Sequence, residues 1–137
     1  MRRLVILLAV LLPLVLQAQQ RGLTESAEQA RKAWLAHDAA GLVAESPGLV
    51  LQLPGADPST ALGPAQSAAL ISDFLAGAQE VEINVRAARE VEPGQGYVEL
   101  QRQYRVAGTQ DVRLQSLLLG YRLGPKGWRL VELRVVG

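Results

Sequence analysis

The chain has no cysteine among its 137 residues. A disulfide framework, a thiol nucleophile and a thiolate metal centre are all excluded. So is anchoring through a lipidated N-terminal cysteine. Histidine occurs once, at His37, so a zinc site would need carboxylates for nearly all its ligands. Neither sign of charge dominates, with 14 basic and 13 acidic residues. The strong basic field behind non-specific nucleic-acid binding is therefore missing. Aromatic side chains make up only 4% of the sequence: one Phe, two Trp and three Tyr. No metal, cofactor or nucleic-acid partner is expected.

What is present begins with a leader. Residues 1–18 read MRRLVILLAVLLPLVLQA: two arginines, an apolar run from Leu4 to Leu16, then a small residue at Ala18. This is the layout of a secretory signal peptide. As a helix, Leu4–Ala18 would span about 22 Å at roughly 1.5 Å per residue. A bilayer core needs about 30 Å, so a stable membrane anchor is not expected. The sequence thus divides into a signal peptide, 1–18, and one domain, 19–137, exported to a periplasm or beyond. Removing Arg2 and Arg3 leaves 12 basic residues (14 less 2) against 13 acidic ones. Without disulfides, the exported domain stands on its core alone.

After the leader, Leu23 to Ala36 reads as a helix. Thr24 or Ser26 can cap it, with Ser26 and Gln29 forming a capping box. Leu23, Ala27, Ala30 and Trp34 share one face. A short helix follows from Ala39 to Glu45, stopped before Pro47. Leu49–Leu53 reads as a strand and residues 54–63 as a loop. Pro64 opens a third helix with Leu70, Ile71, Phe74 and Leu75 as its apolar face and Gly77 as its stop.

From Glu80 onward the pattern is strand and turn. Turn signals at 93–96, 108–110 and 124–127 separate four runs, 80–92, 97–107, 111–123 and 128–136, spaced as an antiparallel meander. The first run alternates, with Val81, Ile83, Val85, Ala87 and Val91 on one face and Glu82, Asn84, Arg86, Glu90 and Glu92 on the other. The second places Val98, Leu100, Tyr104 and Val106 together. The third is apolar on both faces, with Leu114 and Leu118 on one and Leu117, Leu119 and Leu123 on the other. A strand of that kind wants cover on both sides. Helices supply one cover, and a second subunit is the simplest source of the other.

The order helix, short helix, strand, helix, four strands resembles the nuclear transport factor 2-like superfamily. The resemblance rests on "AWLAHDAAGLV", the "LISDFL" helix and the closing "GWRLVELRVV", and covers nearly all of 22–137. It implies an α+β, cone-shaped, cystatin-like fold: a curved, mostly antiparallel sheet whose four-strand meander wraps the N-terminal helices. Members of that superfamily include isomerases, dehydratases and small-molecule binders, so the fold does not fix an activity.

His37-Asp38 is where the sequence most resembles chemistry. Asp38 precedes the second helix and suits its N-cap. His37 falls in the last turn of the first helix, where the macrodipole favours a cation. Adjacent residues point apart on a helix, so the two do not chelate together. No catalytic residue is assigned.

The resemblance implies a cavity between sheet and helices. Polar residues that interrupt the inward face are candidates to line it: Arg89 in the first run and Arg102 in the second, with Tyr104, Trp34 and Phe74 around them. A hairpin tip at Gly94-Gln95 would pair Ala87 with Arg102 and Arg89 with Leu100. The two arginines would then be diagonal neighbours wanting an anion, either Asp73 or Glu80 or an acidic ligand. Tyr121 and Trp128 are placed at the open end or at a dimer face. No carboxylate falls on the inward faces of the first two runs, which weakens an isomerase or hydro-lyase reading built on Arg102, Tyr104, Asp73 or His37. The sequence favours a non-enzymatic exported domain that binds a small anionic or apolar ligand in its cone, or associates as a homodimer through its sheet. A purely structural dimerisation domain is the remaining alternative.

Overall fold

A computed structural model describes the backbone from Arg2 to Gly137 and the side chains from Pro13 onward. Most of the expected leader therefore lies outside the described side chains. Eight elements follow one another: α1 (Arg2–Leu35), α2 (Ala39–Val43), β1 (Val50–Gln52), α3 (Pro64–Leu75), β2 (Ala78–Glu92), β3 (Gln95–Val106), β4 (Val112–Gly124) and β5 (Gly127–Val136). The strands form one five-stranded sheet in the order β1-β5-β4-β3-β2. All neighbours are antiparallel except β1, which pairs parallel to β5 through Leu51 and Leu133. This is the expected α+β arrangement, with the four-strand meander intact.

The first helix starts earlier than its capping residues suggested. Nothing between Ala18 and Leu23 breaks it; Gly22 alone costs only about 1 kcal/mol in a helix interior. Thr24 is consequently no cap, and its hydroxyl donates back to the Gln20 carbonyl at 3.0 Å. Ser26 likewise lies inside the helix. The expected face is confirmed: Leu23, Ala27, Ala30 and Trp34 are all at most 4% exposed.

The helix ends in the two hydrogen bonds of a left-handed C-terminal cap. The His37 N–H donates to Trp34 O at 3.0 Å and the Asp38 N–H to Ala33 O at 2.8 Å. His37 is not in the last turn but two residues past it, at φ 54°. That is the left-handed position a glycine usually fills. Asp38 then starts α2 at once, its Oδ1 accepting from the Gly41 N–H at 2.9 Å. The cap expected of Asp38 is present.

Further along, α3 buries Ser67, Ile71 and Leu75 at four-residue spacing. The Ser67 hydroxyl satisfies itself on Gly63 O at 2.9 Å. Leu70 falls off that stripe and is 41% exposed, so it does not belong to the apolar face assigned to it.

The clearest departure is in β2. Its pairing with β3 slips three times, with Val81, Arg86 and Val91 each an extra residue. Every bulge of this kind reverses which side chains face inward. Of the five residues expected on the inner face only Ile83 is buried, while Val81, Val85 and Val91 are 45%, 39% and 52% exposed. The pairing shifts with them: Arg102 faces Ile83, and Arg89 faces Tyr97. The expected diagonal pairing of Arg89 with Arg102 is not formed.

In β3 and β4 the alternation holds. Val98, Leu100, Leu117 and Leu119 are at most 1% exposed. Gly96 sits where α1 crosses the sheet, and a Cβ there would lie 2.7 Å from Leu23 Cδ1 and 3.3 Å from the Trp128 ring. Close approach of backbone to helix requires glycine at that point. On the opposite face, Leu114 is 60% and Val136 43% exposed.

Candidate functional site

The second strand's first bulge has a chemical outcome. By skipping Val81 it puts Glu80 on the same face as Ile83, pointing inward. Strict alternation leaves no carboxylate on that face, and the bulge corrects this. The Glu80 carboxylate is 3% exposed and meets Arg102, whose side chain is 1% exposed. Arg102 Nε donates to Glu80 Oε2 at 3.1 Å, and Nη2 donates to Oε1. Its Nη1 donates to Gln115 Oε1 at 2.9 Å. Of the two anions foreseen for Arg102, Glu80 is the one that pairs with it; Asp73 is exposed on α3.

Three rings surround the same guanidinium. Its carbon lies 4.0 Å from the centroid of Tyr104, 5.3 Å from Trp34 and 5.7 Å from Phe74. Trp34 and Phe74 meet edge to face with centroids 6.4 Å apart. A planar cation among ring faces, with a bidentate carboxylate, is a favourable setting for a buried charge. The Trp34 indole N–H finds no acceptor in this cluster. His37 closes the group from outside, its Nε2 lying 3.2 Å from Glu80 Oε1. His37 and Asp38 therefore act separately, one on Glu80 and one on α2.

Four of the five candidate ligand residues, Arg102, Tyr104, Trp34 and Phe74, thus come together. They enclose one of their own number. Arg89 stands apart, on an exposed stretch of β2, with its guanidinium 5.8 Å from the Tyr97 ring. Four clefts among the described residues have none of the five in their walls. No group of three or more His, Asp or Glu among the described residues is placed to hold a metal ion.

Open space lies instead where α1 and the end of α2 meet β4 and β5. A cleft of about 110 Å³ between α1, α2, β4 and β5 has Ala30, Leu42 and Leu130 in its wall with Tyr121. Ser26, Gln29, Glu45 and Trp128 also line it, and the same four line an adjoining shallow groove of about 420 Å³. That groove continues over Glu25, Lys126 and Arg129. Tyr121 is 7% exposed, and burial pushes its phenol well above the usual tyrosine range. Trp128 is fixed by its indole N–H, which donates to Gln19 O at 2.9 Å. Arg129 is tied to the turn after α2 through Glu45 O at 3.1 Å. Tyr121 and Trp128, placed by the sequence at an open end or at a dimer face, both line this cleft. The sequence suits Ser26 and Gln29 to a helix cap, and nothing in it marks them as groove residues.

No family model matches the chain, and no characterised protein resembles it closely in sequence. Solved structures do. A ketosteroid isomerase-like protein from Erwinia carotovora atroseptica superposes with a TM-score of 0.70 at 14% identity, covering 85% of this chain and 94% of that one. An NTF2-like protein with a cystatin-like fold from Novosphingobium aromaticivorans gives 0.64 at 22% identity, covering 93% and 86%. A domain of unknown function with a cystatin-like fold from Nostoc punctiforme gives 0.68 at 17% identity, covering 87% and 76%. At such identities the likeness speaks for architecture alone. The sheet order, the wrapped helix and these superpositions agree that the chain has the nuclear transport factor 2-like, cystatin-like fold.

Proposed function

We propose that this chain is an exported, non-enzymatic binding domain, and that it takes its ligand at the mouth of the cone rather than at the centre. The observation that carries this reading is the state of Arg102. Its fork is spent on Glu80 and Gln115, and its faces are covered by Tyr104, Trp34 and Phe74. A ligand seeking that position would have to displace a buried ion pair, at a cost of several kcal/mol. Glu80 is equally committed, to Arg102 and His37, which speaks against a free general base there.

The mouth offers what the centre does not. It combines an apolar wall (Ala30, Leu42, Leu130), the edge of Trp128 and a polar rim of Ser26, Gln29 and Glu45. Such a lining suits a small amphipathic molecule with an apolar body and a hydrogen-bonding head. Tryptophan fluorescence tests it, since Trp34 is buried and Trp128 lines the groove. Titration with benzoate, short-chain fatty acids and aromatic amines should change the Trp128 emission for at least one class. Trp128→Phe should abolish that change, and Ser26→Leu should weaken it about tenfold. Binding that survives both substitutions but is lost in Arg102→Met would overturn the placement.

A second reading has its own observation. The outer face of the sheet exposes Leu114, Val112 and Val136, with Leu118 half-buried beside them. A homodimer through that face would cover them. Sedimentation at micromolar concentration should then give twice the chain mass, and Leu114→Lys should halve it.

A further inference from the structure

We infer that the exported chain begins at Gln19 and that this glutamine closes on itself to a pyroglutamyl lactam. The inference rests on the export reading above, and adds to it a position and a covalent modification.

The structure divides α1 at this point. Leu14, Val15 and Leu16 are 54%, 52% and 58% exposed, apolar side chains without core partners. Among the described residues, Leu16 lies along a shallow cleft beside Glu90–Gly94. Within one turn the character changes. The Gln19 carbonyl receives the Trp128 indole N–H at 2.9 Å. The Gln20 carboxamide donates to the Ala88 carbonyl of β2 at 2.9 Å. Leu23, one turn further, is fully buried. The domain therefore takes hold of its chain at residue 19, directly after the small residue Ala18 that closes the leader.

Cleavage there leaves a free α-amine on a glutamine. The amine nitrogen can attack the residue's own side-chain carbonyl carbon. A bond forms between the α-nitrogen and Cδ, the Cδ–Nε2 bond breaks, and Nε2 leaves as ammonia with the proton the amine gives up. No other reactant is needed. The Gln19 carbonyl takes no part, so the Trp128 hydrogen bond survives. The reaction also removes a positive charge from the first turn of a helix, where the backbone dipoles disfavour cations. Gln20 cannot take over this chemistry while Gln19 precedes it, and its carboxamide is engaged on β2.

The full chain, residues 1–137, expressed in a host with an export pathway and recovered outside the cytoplasm, gives the test by intact mass. The expected product is residues 19–137 lighter by one ammonia, about 17 Da. Its N-terminus should resist stepwise degradation until treated with pyroglutamyl peptidase. Gln19→Ser should yield a chain of the same start with no mass deficit and an open N-terminus. A chain starting at Gln19 with its amine free overturns the lactam and leaves export standing. A start at any other residue overturns Gln19 as the N-terminus. An uncut chain overturns both the modification and the export reading beneath it.

Discussion

Glu80 reaches Arg102 diagonally across two strands: its backbone pairs with Tyr104, while Arg102 pairs with Ile83. The contact exists because one extra residue, Val81, turns Glu80 inward. Arg102→Met should destabilise the domain by about 3–5 kcal/mol, because Glu80 is left buried without its counter-charge. Adding Glu80→Leu should recover a large share of that loss. Urea denaturation of the two single variants and the double variant measures it, and additive losses would mean that the pair is not coupled.

Asp38 and Gly41 form a second coupled pair. The cap should be worth about 1 kcal/mol, lost in Asp38→Ala. A Cβ at residue 41 would collide with the Asp38 carboxylate, so Gly41→Ala should also displace the cap. The double variant should then cost less than the sum of the two, read from denaturation midpoints.

At the crossing of α1 over β3, Gly96→Ala should cost about 1–3 kcal/mol, since Leu23 and the Trp128 ring both have to move. A control at Gly63, where an added Cβ meets nothing, should stay within about 0.5 kcal/mol.

Tyr121 sets an alkaline limit. Burial holds its phenol neutral in the fold, while the unfolded chain ionises from an ordinary value of about 10. The raised folded value means that stability is intact below pH 10 and falls as pH rises beyond it, by about 1.4 kcal/mol per unit at most. Thermal unfolding between pH 9 and 11.5 should show this fall, reduced in Tyr121→Phe. An equal decline in both proteins would assign it elsewhere.

These residues also show how far the sequence could be read. The turns at Pro93-Gly94, Gly108 and Pro125-Lys126 place the four long strands within a few residues, because glycine and proline punctuate locally. The buried stripe of α1 is equally plain, since Leu23, Ala27, Ala30 and Trp34 follow one helical period. The inner face of β2 is not legible. A bulge depends on how a strand fits its neighbour, and Val81, Arg86 and Val91 carry no mark of being extra. Strict alternation therefore hides Glu80 on the outer face, leaves Arg102 conspicuous on the inner one, and sets Arg89 beside a cluster it does not join. The early start of α1 was masked by Thr24 and Ser26, which have capping side chains but no helix end to cap.

The pairing of β1 with β5 brings Val50 beside Glu132. A chain emerging from a ribosome has no partner for β1 until β5, about eighty residues later, is free. Closing so long a loop is slow, and this late step delays completion of the sheet. That order of events places the risk of aggregation in the interval after β1 is made and before β5 arrives to cover its edge.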